Sequence, residues 1–479
     1  MKMKINSYWY SHDRLSLIVG MLGAAVGLVL GVIAGVQPIP LGLAIFALVS
    51  VLCFFIYFEQ TVLGLLVLRS SLDIFSAQQI PAVFAIGLNA LTILYVFSSL
   101  LFKKKIHVDK FWWFFIAWVV GQALWVGLIL VRNWGFGEGL FSSGVQEWLR
   151  LFSWAMVYLL IMQLKGSIHP EKVINWLFIS LVAPLSVAMI QIIVPPSALP
   201  SFLVFSSDAI EAGSRINGTI GHPNALASFC VLFIGLSLWK SSNTEKNLPW
   251  LILIGVLVFI LTTTQSLGGI VLITVFSIAY ISTRLKISNL IGAVVLISLA
   301  LTLFGSSDFG RERLASLYET PILNRDISLS NTLLLAQADG NSLNWRIAQW
   351  TYLLDFWQKF PIMGYGLKTA NTIGIYKNYA HNDYVAALVE QGVVGLLAFL
   401  AFLYAQFAHL FEIMNRAFPK PTNSQKSLCF VLTALLVGIC VAMFAANIIS
   451  QTTLFFYWFA LLAVAGWNWL PETSEDGKS

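Results

Sequence analysis

The chain has 479 residues, of which 58% are hydrophobic and 10% charged, with a formal net charge of +6. Its mean hydropathy is +0.81, whereas a soluble domain carries roughly 25% charged residues, so a soluble globular protein is excluded. A basic excess on so apolar a chain marks loops at a membrane, not a groove for nucleic acid, and no nucleic-acid partner is expected.

The opening "MKMKINSYWYSHDR" sets Lys2, Lys4 and Arg14 before an apolar run without a small-residue cleavage site. That pattern predicts a retained first span with a cytoplasmic N-terminus. A helix needs about 20 apolar residues to cross hydrocarbon. Runs of that kind predict 14 spans, at 15–36, 41–58, 61–75, 81–101, 111–131, 145–164, 173–194, 223–239, 248–264, 268–283, 290–304, 383–411, 427–444 and 452–470. The third is short and holds Arg69 and Asp73, but the alternation of basic loops depends on it. The fold class is therefore all-α: a polytopic bundle of about 12–14 transmembrane helices, the range following from the hydrocarbon thickness.

The segments expected on the cytoplasmic side hold 16 Lys and Arg, and the short loops of the other side only Arg132 and Arg215. The positive-inside rule then fixes the orientation. It puts Arg215 and the 77-residue stretch 306–382 on one extracytoplasmic face, with both termini inside. Four regions are expected: N-terminal spans at 1–222, central spans at 223–305, an extracytoplasmic loop at 306–382, and C-terminal spans with a short tail at 383–479. Cys53, Cys230, Cys429 and Cys440 fall within spans, without metal-ligand spacing. A structureless loop of such length is uncommon in a folded domain. Within it, Ile347, Trp350, Leu354, Trp357 and Phe360 recur at helical spacing before Pro361 and Gly364, which predicts an amphipathic helix lying on the membrane surface.

Three clusters on that face carry groups able to do chemistry: Arg215 with "GHPN" (residues 221–224), Arg346, and "HNDYVAALVEQGVVGL" from His381. His222 before Pro223, and Asn382 with Asp383, also suit the start of a helix, where a polar side chain satisfies free N–H groups. Arginine grips phosphate oxygens bidentately and keeps its charge, so Arg215 and Arg346 suit a diphosphate headgroup. Arg69 with Asp73 (i, i+4) and Glu147 with Arg150 (i, i+3) read first as internal ion pairs, with binding roles for the two arginines secondary. No P-loop, HExxH, EF-hand or GxSxG pattern occurs, and neither a metal nor a cofactor is expected.

"RINGTIGHPNALA" (215–227), "WRIAQWTYLLDFWQKFPIMGYGL" (345–367) and the His381 motif (381–396) together resemble the O-antigen ligase and polysaccharide polymerase superfamily. The resemblance implies a GT-C-like membrane glycosyltransferase of the bacterial inner membrane, with its active site on the periplasmic face. Such an enzyme moves a glycan from undecaprenyl diphosphate to lipid A core (a ligase) or to a second lipid-linked glycan (a polymerase), with inversion and without metal. It implies that Arg215 binds the donor diphosphate and that His381 is the catalytic histidine, with Arg346, His222 and Asn224 at the headgroup. The chain departs from the family at "TTTQSLGG" (262–269), where Leu267 stands in place of an arginine; Arg346, Arg311 or Arg313 would have to substitute. A transporter of a small anion and a non-catalytic subunit binding a lipid-linked glycan are the alternatives. Transport predicts ionisable groups at mid-span and broken helices, whereas the candidate groups here gather at one face.

Overall fold

In the computed structural model, the described residues are 49–132, 139–205, 215–282, 287–306 and 342–469, with isolated positions between 308 and 315. The expected span 15–36, most of the 306–341 segment and Arg313 lie outside them. Of residues 1–61 only 49–61 are described, with a helix at Val49–Ile56; residues 62–479 form the second unit.

The described chain is helical, and no strand occurs among its described residues apart from a lone bridge at Lys165 and Ile168. In chain order the helices are α1 (Phe58–Arg69), α2 (Ile80–Leu101), α3 (Lys110–Arg132), α4 (Leu140–Met162), α5 (Pro170–Ile179), α6 (Val182–Ile193), α7 (Pro223–Asn243) and α8 (Leu248–Thr263). There follow α9 (Leu267–Ser282), α10 (Ile287–Ser306), α11 (Ser342–Trp357), α12 (Ala370–Ile373), α13 (Asp383–Met414), α14 (Asn423–Ala442) and α15 (Thr452–Ala465). Six helical segments of the described residues are long and apolar enough to cross a membrane: Ile80–Leu101, Lys110–Val131, Pro170–Ile193, Pro223–Asn243, Asp383–Met414 and Asn423–Ala442. The protein is thus an all-α, multi-pass membrane protein.

Two expected spans are not single helices. Around 61–75, α1 stops at Arg69 and a 3-10 turn at Asp73–Gln78 leads into α2. Around 173–194, α5 and α6 are separated at Ser180 and Leu181.

The core is built on α15 and α7. Every residue of α15 from Thr453 to Ala465 is buried, as expected of a helix apolar on all sides. It packs on α4, α5, α7 and α14. Its polar handles find partners: Tyr457 Oη donates to the Leu66 carbonyl at 2.6 Å and Trp458 Nε1 to Gln406 Oε1 at 2.7 Å. Around α7, three glycines let helices approach closely. A Cβ on Gly269 would lie 2.5 Å from Ala227 Cβ (α9 on α7), on Gly235 2.9 Å from Leu435 (α7 on α14), and on Gly438 3.0 Å from Leu272 (α14 on α9). Small residues at such contacts are how membrane helices gain dispersion energy where no hydrophobic force drives them together.

The expected amphipathic helix is α11, and the face that carries Leu353 packs on protein. Leu353 joins Tyr365, Ala370, Ile373, Ala380 and Val389 in a buried cluster, with Trp357 and Phe360 packed at its edge. The segment after α11 folds back over α13 and supplies the apolar partner.

That fold-back depends on a break in α13 at Gly392 (φ 68°, ψ −168°). The carbonyls freed there are taken by the segment 361–366 and by α3. Tyr365 N donates to Val389 O at 3.1 Å, Gly366 N to Glu390 O at 2.7 Å, and Trp125 Nε1 to Gln391 O at 3.1 Å. In return Val393 N donates to Pro361 O and Val394 N to Ile362 O. The backbone at 392 lies in a region open essentially only to glycine, and an added Cβ would sit 2.2 Å from the Ile362 oxygen. Gly392→Ala is expected to cost at least about 2 kcal/mol, read as a lower thermal midpoint of detergent-purified protein. Gly255→Ala, where an added Cβ meets nothing within 4 Å, serves as the neutral control.

Candidate functional site

A cavity of about 860 Å³ opens at one end of the bundle. One wall is a single face of α4: Gln146, Leu149, Arg150, Ser153 and Trp154, spaced i, i+3, i+4, i+7 and i+8, all border it. The α2 wall adds Phe84, Leu88 and Asn89, and the α1–α2 connection adds Asp73 and Gln79. Gly221, His222 and Asn224, with Asn378, Tyr379 and His381, and the α14–α15 connection complete it.

The turn that presents His222 is built by Gln191 of α6. Its Oε1 accepts from Asn217 N (3.2 Å) and Gly218 N (2.9 Å), and its Nε2 donates to Asn217 Oδ1 (2.7 Å) and Leu203 O (2.6 Å). Gly221 then has φ +77°, and a Cβ there would press on Asp73 at 3.2 Å, so the turn needs glycine. His222 caps α7: its Nδ1 accepts from Asn224 N at 3.0 Å. A neutral imidazole that accepts at Nδ1 carries its proton on Nε2, so His222 offers the cavity a donor. Phe205 stands edge-on to it, with ring centroids 5.3 Å apart.

His381 is held on both sides. Trp345 of α11 meets its ring edge-on at 5.1 Å, and Trp350 Nε1 donates to Ala380 O at 2.6 Å. On the other side Asn382 Oδ1 caps α13 by accepting from Tyr384 N and Val385 N, both at 3.0 Å. Asp383 Oδ2 accepts from Ile449 N at 3.0 Å, tying this corner to the α14–α15 connection. Asn382 is thus the cap read from sequence, and Asp383 a brace. His381 itself has φ +51°, a left-handed conformation that is uncommon for a side chain of this size and costs free energy that the neighbours must supply.

Both histidines are neutral near pH 7. Burial, then the charge of Arg346 and the nearness of His222, push the His381 pKa down to about 3. Burial and then Arg215 push His222 down to about 4. Desolvation and a like charge act in one direction on an imidazole, against its cationic form.

The arginines divide into two groups. Arg215 Nε donates to Thr264 O at 3.1 Å, and its Nη2 to Asn224 Oδ1 at 2.9 Å and Gln265 O at 3.4 Å. It therefore clasps the α8–α9 turn just before Leu267, and neither Arg215 nor Arg346 is among the residues bordering the cavity. Their charges reach it through the two imidazoles. Arg69 and Arg150 do border it, each within the ion pair expected from its spacing: Arg69 Nη1 meets Asp73 Oδ1 at 2.7 Å, and Arg150 Nη2 meets Glu147 Oε1. Arg311 is paired with Asp308 at 2.5 Å and is exposed.

Sequence reasoning missed the α14–α15 connection, which brings Asn447, Ser450, Gln451 and Thr452 to the cavity. Its signal was the polar run "NIISQTT" between two apolar spans, which reads as an ordinary loop. With Asn89, Gln146 and Asn378 it gives the cavity amides and hydroxyls, groups that can both donate and accept hydrogen bonds.

Residues 250–400 match the family model described as O-antigen ligase. That segment contains Leu267, Arg346, His381 and the Gly392 break, whereas Arg215, His222 and Asn224 precede it. No curated protein matches the chain. The match spans about a third of the chain and supports an O-antigen ligase- or polymerase-like family for this multi-pass helical protein.

Proposed function

We propose that the protein is an inverting glycosyltransferase that moves a glycan from undecaprenyl diphosphate to an acceptor hydroxyl. The transfer takes place on the extracytoplasmic face of a bacterial inner membrane, the acceptor being lipid A core or a second lipid-linked glycan. The observation that carries this reading is one cavity, within a family-matched chain, where a neutral imidazole (His381) and an imidazole N–H (His222) face a set of amides and hydroxyls.

In the proposed reaction the acceptor O–H gives its proton to His381 as its oxygen attacks the anomeric carbon. The bond from that carbon to the diphosphate oxygen breaks on the opposite face, and the diphosphate leaves with the electron pair. A general base of this kind contributes about 10²–10⁴-fold. His222, through its Nε2–H, and Asn224 orient the leaving oxygens, while Arg215 and Arg346 supply positive potential from behind. A base with a pKa near 3 is weak. An arriving diphosphate favours the imidazolium and raises that pKa, so the donor itself strengthens the base.

His381→Ala is expected to lower transfer by about 10²–10⁴-fold while leaving binding of undecaprenyl diphosphate in place; retained transfer would remove His381 from the chemistry. The acid limb follows from sign. The free enzyme's His381 is neutral above its depressed pKa of about 3, so kcat/KM is expected to hold level from pH 8 down to about 5. The limb in kcat, which reports the complex, should lie at higher pH; a kcat/KM midpoint near 6.5 would contradict the burial argument. Orientation is read with a membrane-impermeant maleimide on intact spheroplasts, in a background lacking the native cysteines. Lys377→Cys, beside the site, should label and Lys246→Cys at the α7–α8 turn should not; the reverse pattern would invert the topology.

A further inference from the structure

The cavity is bordered by an aromatic ring that the proposed reaction does not use. Tyr379, two residues before His381, is 37% exposed. The backbone around it is strapped to α11: Gln349 Nε2 donates to Asn378 O at 3.1 Å, Gln349 Oε1 accepts from Tyr376 N at 3.4 Å, and Trp350 Nε1 donates to Ala380 O. Tyr376 is stacked on Trp345, with centroids 5.1 Å apart and planes at 24°, so its ring is engaged within the protein. The Tyr379 ring is held instead by a cation on one face. Lys368 Nζ stands 4.3 Å from its centroid. That ammonium is anchored in turn by Glu147 Oε2 of α4 at 3.5 Å, and the lysine side chain is only 19% exposed. A ring quadrupole attracts a cation set over its face, which here keeps a surface tyrosine in one place. Beside it Asn378, also at the cavity, turns its Oδ1 onto Tyr379 N at 2.7 Å, so its amide N–H groups are what it can offer an occupant. A tyrosine that only anchored the chain at a membrane surface would need neither the cavity nor the clamp.

We propose that Tyr379 is a stacking platform for the sugar ring that carries the acceptor hydroxyl, with Asn378 donating to another hydroxyl of the same sugar. This rests on the glycosyltransferase reading and deepens it by giving the acceptor a place in the cavity. A base acts only within hydrogen-bond reach of the proton it takes, so the acceptor sugar lies against His381. Two residues of chain span at most about 7 Å, a distance comparable to the width of one pyranose, so a sugar touching His381 also reaches Tyr379. The ring carbons of a pyranose present a face of C–H groups made weakly positive by their oxygens, which complements the negative face of an aromatic ring. Lys368 covers one face of Tyr379 and leaves the other to the sugar. A side chain already fixed in this way loses little freedom on binding.

The test uses the full chain in nanodiscs and three probes: undecaprenyl diphosphate without sugar, and two oligosaccharides capped as methyl glycosides, one from lipid A core and one from the glycan of the donor. The capped sugars can accept a glycan but cannot donate one. Tyr379→Ala, Tyr379→Leu and Tyr379→Phe are compared, with thermal midpoints near that of the parent chain as the check on folding. Whichever oligosaccharide the parent chain binds should bind the Ala and Leu variants about 10-fold more weakly. The Phe variant should bind it nearly as the parent does, because stacking needs a ring and not a hydroxyl, and undecaprenyl diphosphate should bind all four chains alike. In transfer, the KM for that acceptor should rise by the same factor. Unchanged affinity for the capped sugar in a folded Tyr379→Ala chain overturns the platform. So does a Leu variant equal to the parent, which would show that bulk suffices, or an equal loss for undecaprenyl diphosphate, which would show a general disturbance of the cavity. A parent chain that binds neither oligosaccharide overturns the glycan-transfer reading itself, and the platform with it.

Discussion

Inside a bilayer every backbone N–H and C=O must find a partner within the protein, and two of the helix breaks among the described residues show how this chain meets that condition. One is Gly392 in α13, where segment 361–366 and Trp125 take up the freed carbonyls. The other is the α14–α15 connection, residues 443–451. There Asp383 holds Ile449 N, Arg150 holds Ser450 O, and Asp73 takes the Thr453 hydroxyl just beyond. Side chains from three different helices thus do for the connection what water would do outside. That connection forms one side of the cavity, its floor, through Asn447, Ser450 and Gln451.

This arrangement explains why structural and chemical residues are neighbours in sequence. Asn382 and Asp383 hold the start of α13 and the connection, and the residue before them, His381, is forced into a left-handed conformation. On the other wall, Gly221 yields to Asp73 and the next residue is His222. Each histidine inherits its position from a neighbour whose own work is to satisfy buried backbone.

Much of this was legible in the sequence. Apolar runs gave the bundle, and i, i+3 and i, i+4 spacing gave the two ion pairs, because both depend on local periodicity. Pro223 after His222 gave a helix start, but that signal says nothing of chemistry: His169 before Pro170 caps α5 in the same way, its Nδ1 accepting from Glu171 N at 3.3 Å. What separates the two histidines is the cavity beside His222, a long-range fact. The same holds for Arg215, whose partners are carbonyls 49 and 50 residues away, and for the floor of the cavity. The helical spacing of α11 was legible too, but not the partner of its Leu353 face, which is the segment that returns over α13.

The depressed histidine pKa values fit the same architecture. Burial penalises an imidazolium, and the fixed charges of Arg215 and Arg346 add to that penalty. Without substrate the site therefore holds neutral rings beside cations kept one layer back at Arg215 and Arg346. In the proposed reaction an entering diphosphate headgroup is drawn by the arginines and in turn stabilises the protonated ring. Under the proposed reaction, a substitution that wets the cavity would relieve the burial that depresses the His381 pKa in the free enzyme, but would weaken the pull of the arginines on the headgroup, whereas removing the His381 imidazole would leave that pull in place.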